Sequence, residues 1–270
     1  MYSASLLKFT QGISQSKGFL TMASFIDKGS LTTVKRKEFA STLSKSLKQE
    51  KIQALIQIKE AETVTTGMRH MIENHGLGTL RPNTIVFGGV KKEDESIDFV
   101  KILRIAYRRH NNIVILNESK KVEIGGPENI HIWWDNEHQA NSELMLVLGY
   151  MMQCDRARKR ARLFIKAIVA TEMERKSKLE EFQRISIEKR LPIDAEVYVS
   201  ANSAVDNVEM VREFSKDAGM IFFGLAPPPK EQAADEAYIA YLHDLSAAFE
   251  GLPLAMVVSS EFTPLDSILE

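Results

Sequence analysis

Short apolar runs rich in β-branched and aromatic residues alternate with segments of helical period along the whole chain. The strand-like runs fall at 20–26, 52–58, 84–89, 112–116, 130–134, 162–169, 195–200, 220–225 and 253–259. Most are apolar at successive rather than alternate positions, the pattern of strands covered on both faces. Trp133 and Trp134 are neighbours, so within a strand they point to opposite faces and both faces need cover. Between the runs, Val64, Met68, Met71 and Ile72 stand at i, i+4, i+7 and i+8 and form one stripe of a helix. Val208, Val211 and Phe214 make a second stripe, and Leu179, Phe182 and Ile185 a third, in a segment that opens with Thr171 and Glu174 at capping-box spacing. Alternation of this kind predicts an α/β fold of mostly parallel sheet flanked by helices.

The run Asn83-Thr-Ile-Val-Phe-Gly88 can be set beside Gly219-Met-Ile-Phe-Phe-Gly224. Each is a strand that closes on Phe-Gly and is followed by a polar loop and a helix. The expected order around both is strand, helix, strand, helix ahead of the Phe-Gly strand, then a helix and a Val-rich strand after it. Two tandem α/β modules follow from this, 1–125 and 126–270. The join at 117–129 holds Lys120, Lys121, Gly125, Gly126 and Pro127, which suit a linker or hairpin.

Composition fits that count. A chain of 270 residues and 30.5 kDa is long for one domain. Thirty-five Lys and Arg against thirty-six Asp and Glu leave a net charge of -1, so no global positive field is present to hold nucleic acid. The lone cysteine, Cys154, excludes an internal disulfide and reads as a small apolar residue in a reducing compartment. The longest apolar run, 144–152, is nine residues, whereas crossing a bilayer takes about 20. The N-terminus lacks the charged leader and apolar stretch of a secretory signal.

Residues in catalytic or ligand-binding patterns are sparse. The six histidines include no i, i+4 pair with an intervening Glu, and no Gly-x-Ser-x-Gly elbow exists, so neither a helical zinc site nor a serine nucleophile is supported. Gly88-Gly89 leads into Val-Lys-Lys-Glu-Asp-Glu, whose acids repel phosphate, and Gly224 leads into Leu-Ala-Pro-Pro-Pro, whose prolines lack N–H donors. Gly76-Leu-Gly78 precedes a strand and reads as a turn. The expectation is a chain with no catalytic set, no metal and no cofactor. Arg156, Arg158, Lys159, Arg160 and Arg162 place five cations in seven residues after a helix. Cations there complement the helix dipole and are commonly just solvated; the functional alternative is a patch facing anionic lipid or an acidic partner.

One segment is more specific. Gly76-Leu-Gly-Thr-Leu-Arg-Pro-Asn-Thr-Ile-Val-Phe-Gly88 resembles the Gly-Leu-Gly-x-Met/Leu-x-Pro-Asn-Thr-Leu-x-x-Gly signature of the C-terminal domains of cation-chloride cotransporters, within the amino acid/polyamine/organocation transporter superfamily. Its structural residues here are Gly76, Gly78, Pro82, Asn83, Thr84 and Gly88. Lys17-Gly-Phe-Leu-Thr-Met-Ala-Ser-Phe25 is similar to the family's first strand, and Asn129-Ile-His-Ile-Trp-Trp-Asp135, with Trp133 and Trp134, to its Ile-Asp-x-Trp-Trp strand. Ile221-Phe-Phe-Gly-Leu-Ala-Pro-Pro, Tyr241-Leu-His-Asp-Leu and Leu252-Pro-Leu-Ala-Met-Val-Val are similar to its closing strand, helix and strand.

The resemblance implies two universal-stress-protein-like modules and a regulatory domain at the cytoplasmic face of the cell membrane. It implies a homodimer, coupled to a transmembrane domain of the same polypeptide that carries Na⁺, K⁺ and Cl⁻. The chain lacks the long charged, Ser/Thr-rich insertions of animal members and is most similar to a prokaryotic one. ATP-binding stress proteins use a Gly-x-x-Gly and a later Gly-Ser/Thr after the fourth strand, and neither Phe-Gly loop supplies them, so no nucleotide is expected. Two other readings stay open: a stand-alone, nucleotide-sensing stress protein, and an enzyme with its site around Asp27, Lys59, Gly88 and Gly224, beyond the strand ends.

Overall fold

The computed structural model describes residues 4–14, 18–29, 32–49, 52–76, 81–88, 97–117, 129–155, 160–200 and 204–261. Along the chain run α1 (Ala4–Ser14), β1 (Thr21–Asp27), α2 (Thr33–Gln49), β2 (Leu55–Ala61), α3 (Val64–Asn74), β3 (Thr84–Gly88), α4 (Ile97–Arg108) and β4 (Asn112–Asn117). There follow β5 (Asn129–Trp133), α5 (Gln139–Gln153), β6 (Leu163–Val169), α6 (Glu172–Glu188), β7 (Ile193–Val199), α7 (Ala204–Glu213), β8 (Ala218–Gly224), α8 (Asp235–Ala248) and β9 (Leu254–Val258). Each expected strand run meets an observed strand, and the fold is α/β with a mostly parallel sheet flanked by helices.

Seven strands form one sheet in the order β3-β4-β9-β8-β5-β6-β7, while β1 and β2 pair in a separate two-stranded sheet. All pairings are parallel except β4 with β9, where Ile113 stands opposite Val258 and Leu116 opposite Ala255. This differs from the expectation of one sheet per module: the two halves share a sheet. The reason lies in β4 and β9 themselves. Their central residues are fully buried, and left as edges they would expose unpaired backbone beside apolar side chains. The order of elements also departs from expectation, because three strands precede the Phe-Gly strand β8 but only two precede β3. The expected join, apart from its end residues Asn117 and Asn129, lies outside the described residues.

Both sheet faces are covered. Ile130, Ile132 and Trp134 share one core with α1, α5 and α6, and Trp133 belongs to the other, with α4, α7 and α8. The adjacent tryptophans thus face opposite ways, Trp134 edge-on to Phe182 at 5.3 Å and Trp133 stacked near Tyr198 at 5.9 Å. A third, small core of Leu43, Leu47 and Ile52 lies under the two-stranded sheet.

Local signals explain the helix starts. Thr63 accepts a hydrogen bond from Thr66 N at 3.1 Å to open α3. Thr171 accepts one from Glu174 N at 3.2 Å to open α6, and Glu174 reaches back to Ala170 N at 2.9 Å. In the stripes, Met68, Ile72, Leu179, Phe182, Ile185, Val208 and Val211 pack inward, but Val64 at the first turn of α3 is exposed. Strand β2 starts three residues later than its apolar run, because Ile52 closes the turn after α2 by donating its N–H to Leu47 O at 2.8 Å. Helix α1 has no counterpart among the sequence expectations, although Leu6, Phe9 and Ile13 are spaced for one face.

The halves are also clasped by side chains. Arg104 on α4 pairs with the buried Asp235 at the start of α8 and donates to Pro229 O at 2.6 Å, and Arg108 donates to Lys230 O at 3.0 Å.

Candidate functional site

In a doubly wound sheet ligands settle beyond the strand C-termini where the order reverses. In this chain that point lies between β5 and β8, and Asp135 stands two residues past the end of β5 on that rim. Its carboxylate is spent on the turn it begins. Oδ1 accepts from Glu137 N and His138 N, both at 2.9 Å, and Oδ2 contacts His138 Nδ1 at 3.0 Å and Asn141 Nδ2 at 3.3 Å. Its backbone is held too: Ser142 Oγ accepts from Asp135 N at 2.7 Å and lies 3.0 Å from Asp135 O. Asn141 completes the rim, donating to Leu225 O at 2.9 Å and accepting from Ser259 N at 2.8 Å. Asp135, Asn141 and Ser142 therefore tie the ends of β5, β8 and β9 to the first turn of α5. All the partners that a carboxylate could offer a ligand are already engaged.

Beside this knot an open cavity of about 550 Å³ lies over Trp134, between the first turns of α5 and α6. Asp135, Glu174 and Glu181 line it against one cation, Lys178, which is paired with Glu181 at 2.8 Å. Its charge disfavours phosphate. Across the rim, the loop after β8 runs Leu225-Ala-Pro-Pro-Pro229, and the Ala226 carbonyl is taken by Tyr238 OH at 2.7 Å. Among the described residues no group of three or more His, Cys, Asp or Glu is placed to hold a metal.

A second polar constellation lies on the opposite face, under the turn after α7. Lys166 on β6, only 4% exposed, pairs with Glu196 on β7 at 3.0 Å and donates to Phe214 O at 2.7 Å. Tyr198 OH donates to the same Glu196 oxygen at 2.5 Å. Trp133 Nε1 donates to the buried Ser215 Oγ at 2.9 Å, and His131 Nδ1 lies 3.4 Å from it. Burial, with Lys166 close by, pushes the His131 imidazole down to about 4. Burial alone would raise Glu196, but hydrogen bonds from Tyr198 and Lys166 outweigh it and hold the carboxyl below its usual range. The sequence contained a signal for this cluster: Lys166 interrupts the otherwise apolar Leu-Phe-Ile-Lys-Ala-Ile-Val. Its partners could not be read, since register pairs Lys166 with Glu196 across 30 positions.

The signature residues do not converge on a site. Gly76 turns the chain out of α3 with φ 142°, Gly78 lies outside the described residues, and Pro82 accepts from Asn111 Nδ2 at 2.5 Å. Asn83 accepts from Asn112 N at 2.8 Å, which sets β3, with Thr84 and Gly88 at its ends, against β4. Trp133, the last residue of β5, and Trp134 just after it sit four strand positions away.

Of the basic run, Arg156, Arg158 and Lys159 lie outside the described residues and Arg160 is exposed. Arg162 pairs with Asp194 at 2.8 Å and lies over the Phe164 ring at 4.9 Å, so that cation has a partner within the chain. Cys154, expected as a small packing residue, is exposed, because it caps the C-terminus of α5. Asp27 and Lys59 fall on the two-stranded sheet, away from Gly224.

The strand order and the knotted rim define a helix-flanked, mostly parallel α/β domain whose switch point is closed by its own side chains. The model of solute carrier family 12 matches residues 3–178, and the chain belongs to that family. Among solved structures it is similar to the cytoplasmic domain of a prokaryotic cation chloride cotransporter, with a TM-score of 0.66 and 16% identity over 96% of this chain and 92% of that one. It is also similar to a Pseudomonas aeruginosa UCBPP-PA14 protein assigned to the universal stress proteins (TM-score 0.55, 12% identity, 97% of this chain, 89% of that one). A universal stress protein from Archaeoglobus fulgidus DSM 4304 scores 0.52 at 11% identity, over 94% of this chain and 92% of that one. No curated protein matches the chain.

Proposed function

We propose that this chain is a cytosolic regulatory and dimerisation domain of a cation-chloride cotransporter, hung below a transmembrane part of the same polypeptide that carries the ions. The observation that carries the reading is the family match over residues 3–178, joined to a likeness in fold that runs over nearly the whole of the cotransporter domain. One feature supports a non-catalytic role: the polar groups at the switch point are consumed by one another. Among the described residues no helix is long and apolar enough to cross a membrane. Regulation of this kind is mechanical: a shift in packing between domains biases transporter states only if the contacts differ between them.

The test is the polypeptide in which this chain occurs. Its reading frame is expected to contain a series of apolar segments of about 20 residues, and removing the domain is expected to change chloride-dependent cation uptake in vesicles. A frame without such segments, or uptake indifferent to the deletion, sinks the reading. Light scattering is expected to find about 61 kDa, twice the 30.5 kDa chain.

The second reading, a stand-alone nucleotide sensor, is favoured only by the likeness to universal stress proteins over 94–97% of the chain. Titration calorimetry with ATP separates them: saturable heat supports the sensor, and its absence at millimolar ATP supports the transporter domain.

A further inference from the structure

Helix α2 holds Lys35, Arg36, Lys37, Lys45 and Lys48 against a single acid, Glu38, in a chain whose net charge is only -1. Elsewhere helical cations meet an acid three positions away: Lys101 with Asp98 at 2.9 Å, Arg175 with Glu172 at 3.2 Å and Lys178 with Glu181 at 2.8 Å. On α2 only Arg36 is matched, by Glu60 of β2. Among the described residues Lys35, Lys37, Lys45 and Lys48 have no acid partner. Lys28, exposed in the turn between β1 and α2, adds to the same excess.

Packing decides which way these lysines point. Leu43 and Leu47 are buried in the small core under β1 and β2. At about 100° per residue, Val34 and Lys45 then lie on the side away from that core, with Lys35 on one flank and Lys37 and Lys48 on the other. Two apolar side chains stand among them: Val34, 66% exposed, and Phe39, 40% exposed and one turn past Lys35. Lysine stems can lie along such groups while their ammonium heads reach outward, the arrangement of a helix resting on a membrane surface. Two partly exposed side chains bury little area, so attraction between the lysines and anionic headgroups has to dominate the attachment.

We propose that α2 docks the domain on a bilayer rich in anionic lipid, with Lys35, Lys37, Lys45 and Lys48 against the headgroups and Val34 and Phe39 dipping among them. Charge complementarity selects this occupant. Lysine is a compact, hydrated point charge that suits a diffuse negative field, whereas recognition of defined carboxylates on a protein favours the planar fork of arginine. All the unmatched cations of α2 are lysines. The inference deepens the functional reading, on which it rests for a membrane within reach. It places the contact on α2 and not on the basic run 156–162, where Arg162 is held by Asp194.

Co-sedimentation of the 270-residue chain with vesicles tests it. Phosphatidylcholine vesicles with about 30% phosphatidylserine are expected to bind the chain at least about tenfold more tightly than phosphatidylcholine alone. Raising salt from about 0.1 M to about 0.5 M should abolish the difference. The triple variant Lys35→Gln, Lys37→Gln, Lys45→Gln should weaken binding at least about tenfold, with the urea midpoint unchanged because these side chains are exposed. Should the triple variant unfold, Lys35→Gln and Lys45→Gln singly, each expected to weaken binding about fivefold, carry the test. The double variant Arg158→Gln, Lys159→Gln should bind as wild type does. Absent binding, equal binding to both vesicles, or binding that the α2 variants retain overturns the proposal. So does capture of polyglutamate without binding to anionic vesicles, which would make the partner an acidic polypeptide. A reading frame with no membrane segments fails the functional reading; a frame that has them, with no vesicle binding, fails this inference alone.

Discussion

A Cβ placed on Gly224 would lie 2.7 Å from the Oδ2 of Asp135 and 3.1 Å from its Cβ. The last residue of β8 is thus glycine because the turn after β5 occupies the space a side chain would take. Gly224→Ala is expected to destabilise the domain by about 1–3 kcal/mol, since the Asp135 carboxylate is pinned by its partners and cannot swing away. Urea midpoints with unchanged slope check it. Wild-type stability in the variant would mean that the knot yields freely.

His131 yields a pH signature. Its folded value, about 4, lies below the unfolded 6.5, so between these the unfolded chain binds more protons. The contribution is therefore full above about 6.5 and is lost as pH falls toward 4, by roughly 2–4 kcal/mol. In chemical unfolding at pH 7.5 and 5, His131→Gln is expected to lose less stability on acidification than wild type. Equal losses would show that His131 does not drive the acid sensitivity.

Lys166 is buried and Glu196 partly exposed, so the pair is unequal. Lys166→Met leaves Phe214 O and the Glu196 carboxylate short of a donor, which costs about 1–3 kcal/mol. Adding Glu196→Gln should recover part of that. A double-mutant cycle on thermal unfolding measures the coupling, and a coupling near zero would show the two residues acting independently.

Arg104 should matter more than a surface arginine. Asp235 is 1% exposed, and removing its guanidinium partner leaves a buried carboxylate, a loss of about 3–5 kcal/mol. Arg104→Ala is also expected to speed proteolysis at the loop 226–230, which the arginine holds through Pro229 O. Unchanged cleavage would separate the loop from the clasp.

Strands such as β4, β8 and β9 were legible because burial on both faces leaves an unbroken apolar run, and the tryptophan pair was legible because side chains alternate across a strand. The slip at β2 shows the limit of that signal, since Ile52 is apolar for the sake of a turn packed on Leu47 and not for a strand. The basic run was legible as charge, yet nothing local told that Arg162 would meet Asp194 on the neighbouring strand.

By itself, then, the sequence determined the element types, the repeat of the Phe-Gly strands and the absence of a glycine cradle, all of which depend on spacing within a few residues. Tertiary structure alone decided that β4 meets β9 antiparallel, that Asn141 ties the ends of β8 and β9 through Leu225 O and Ser259 N, and that β1 and β2 pair apart from the other seven strands. Those depend on which strand edges meet and in what register, and contacts across a hundred positions leave no periodicity for a sequence to display.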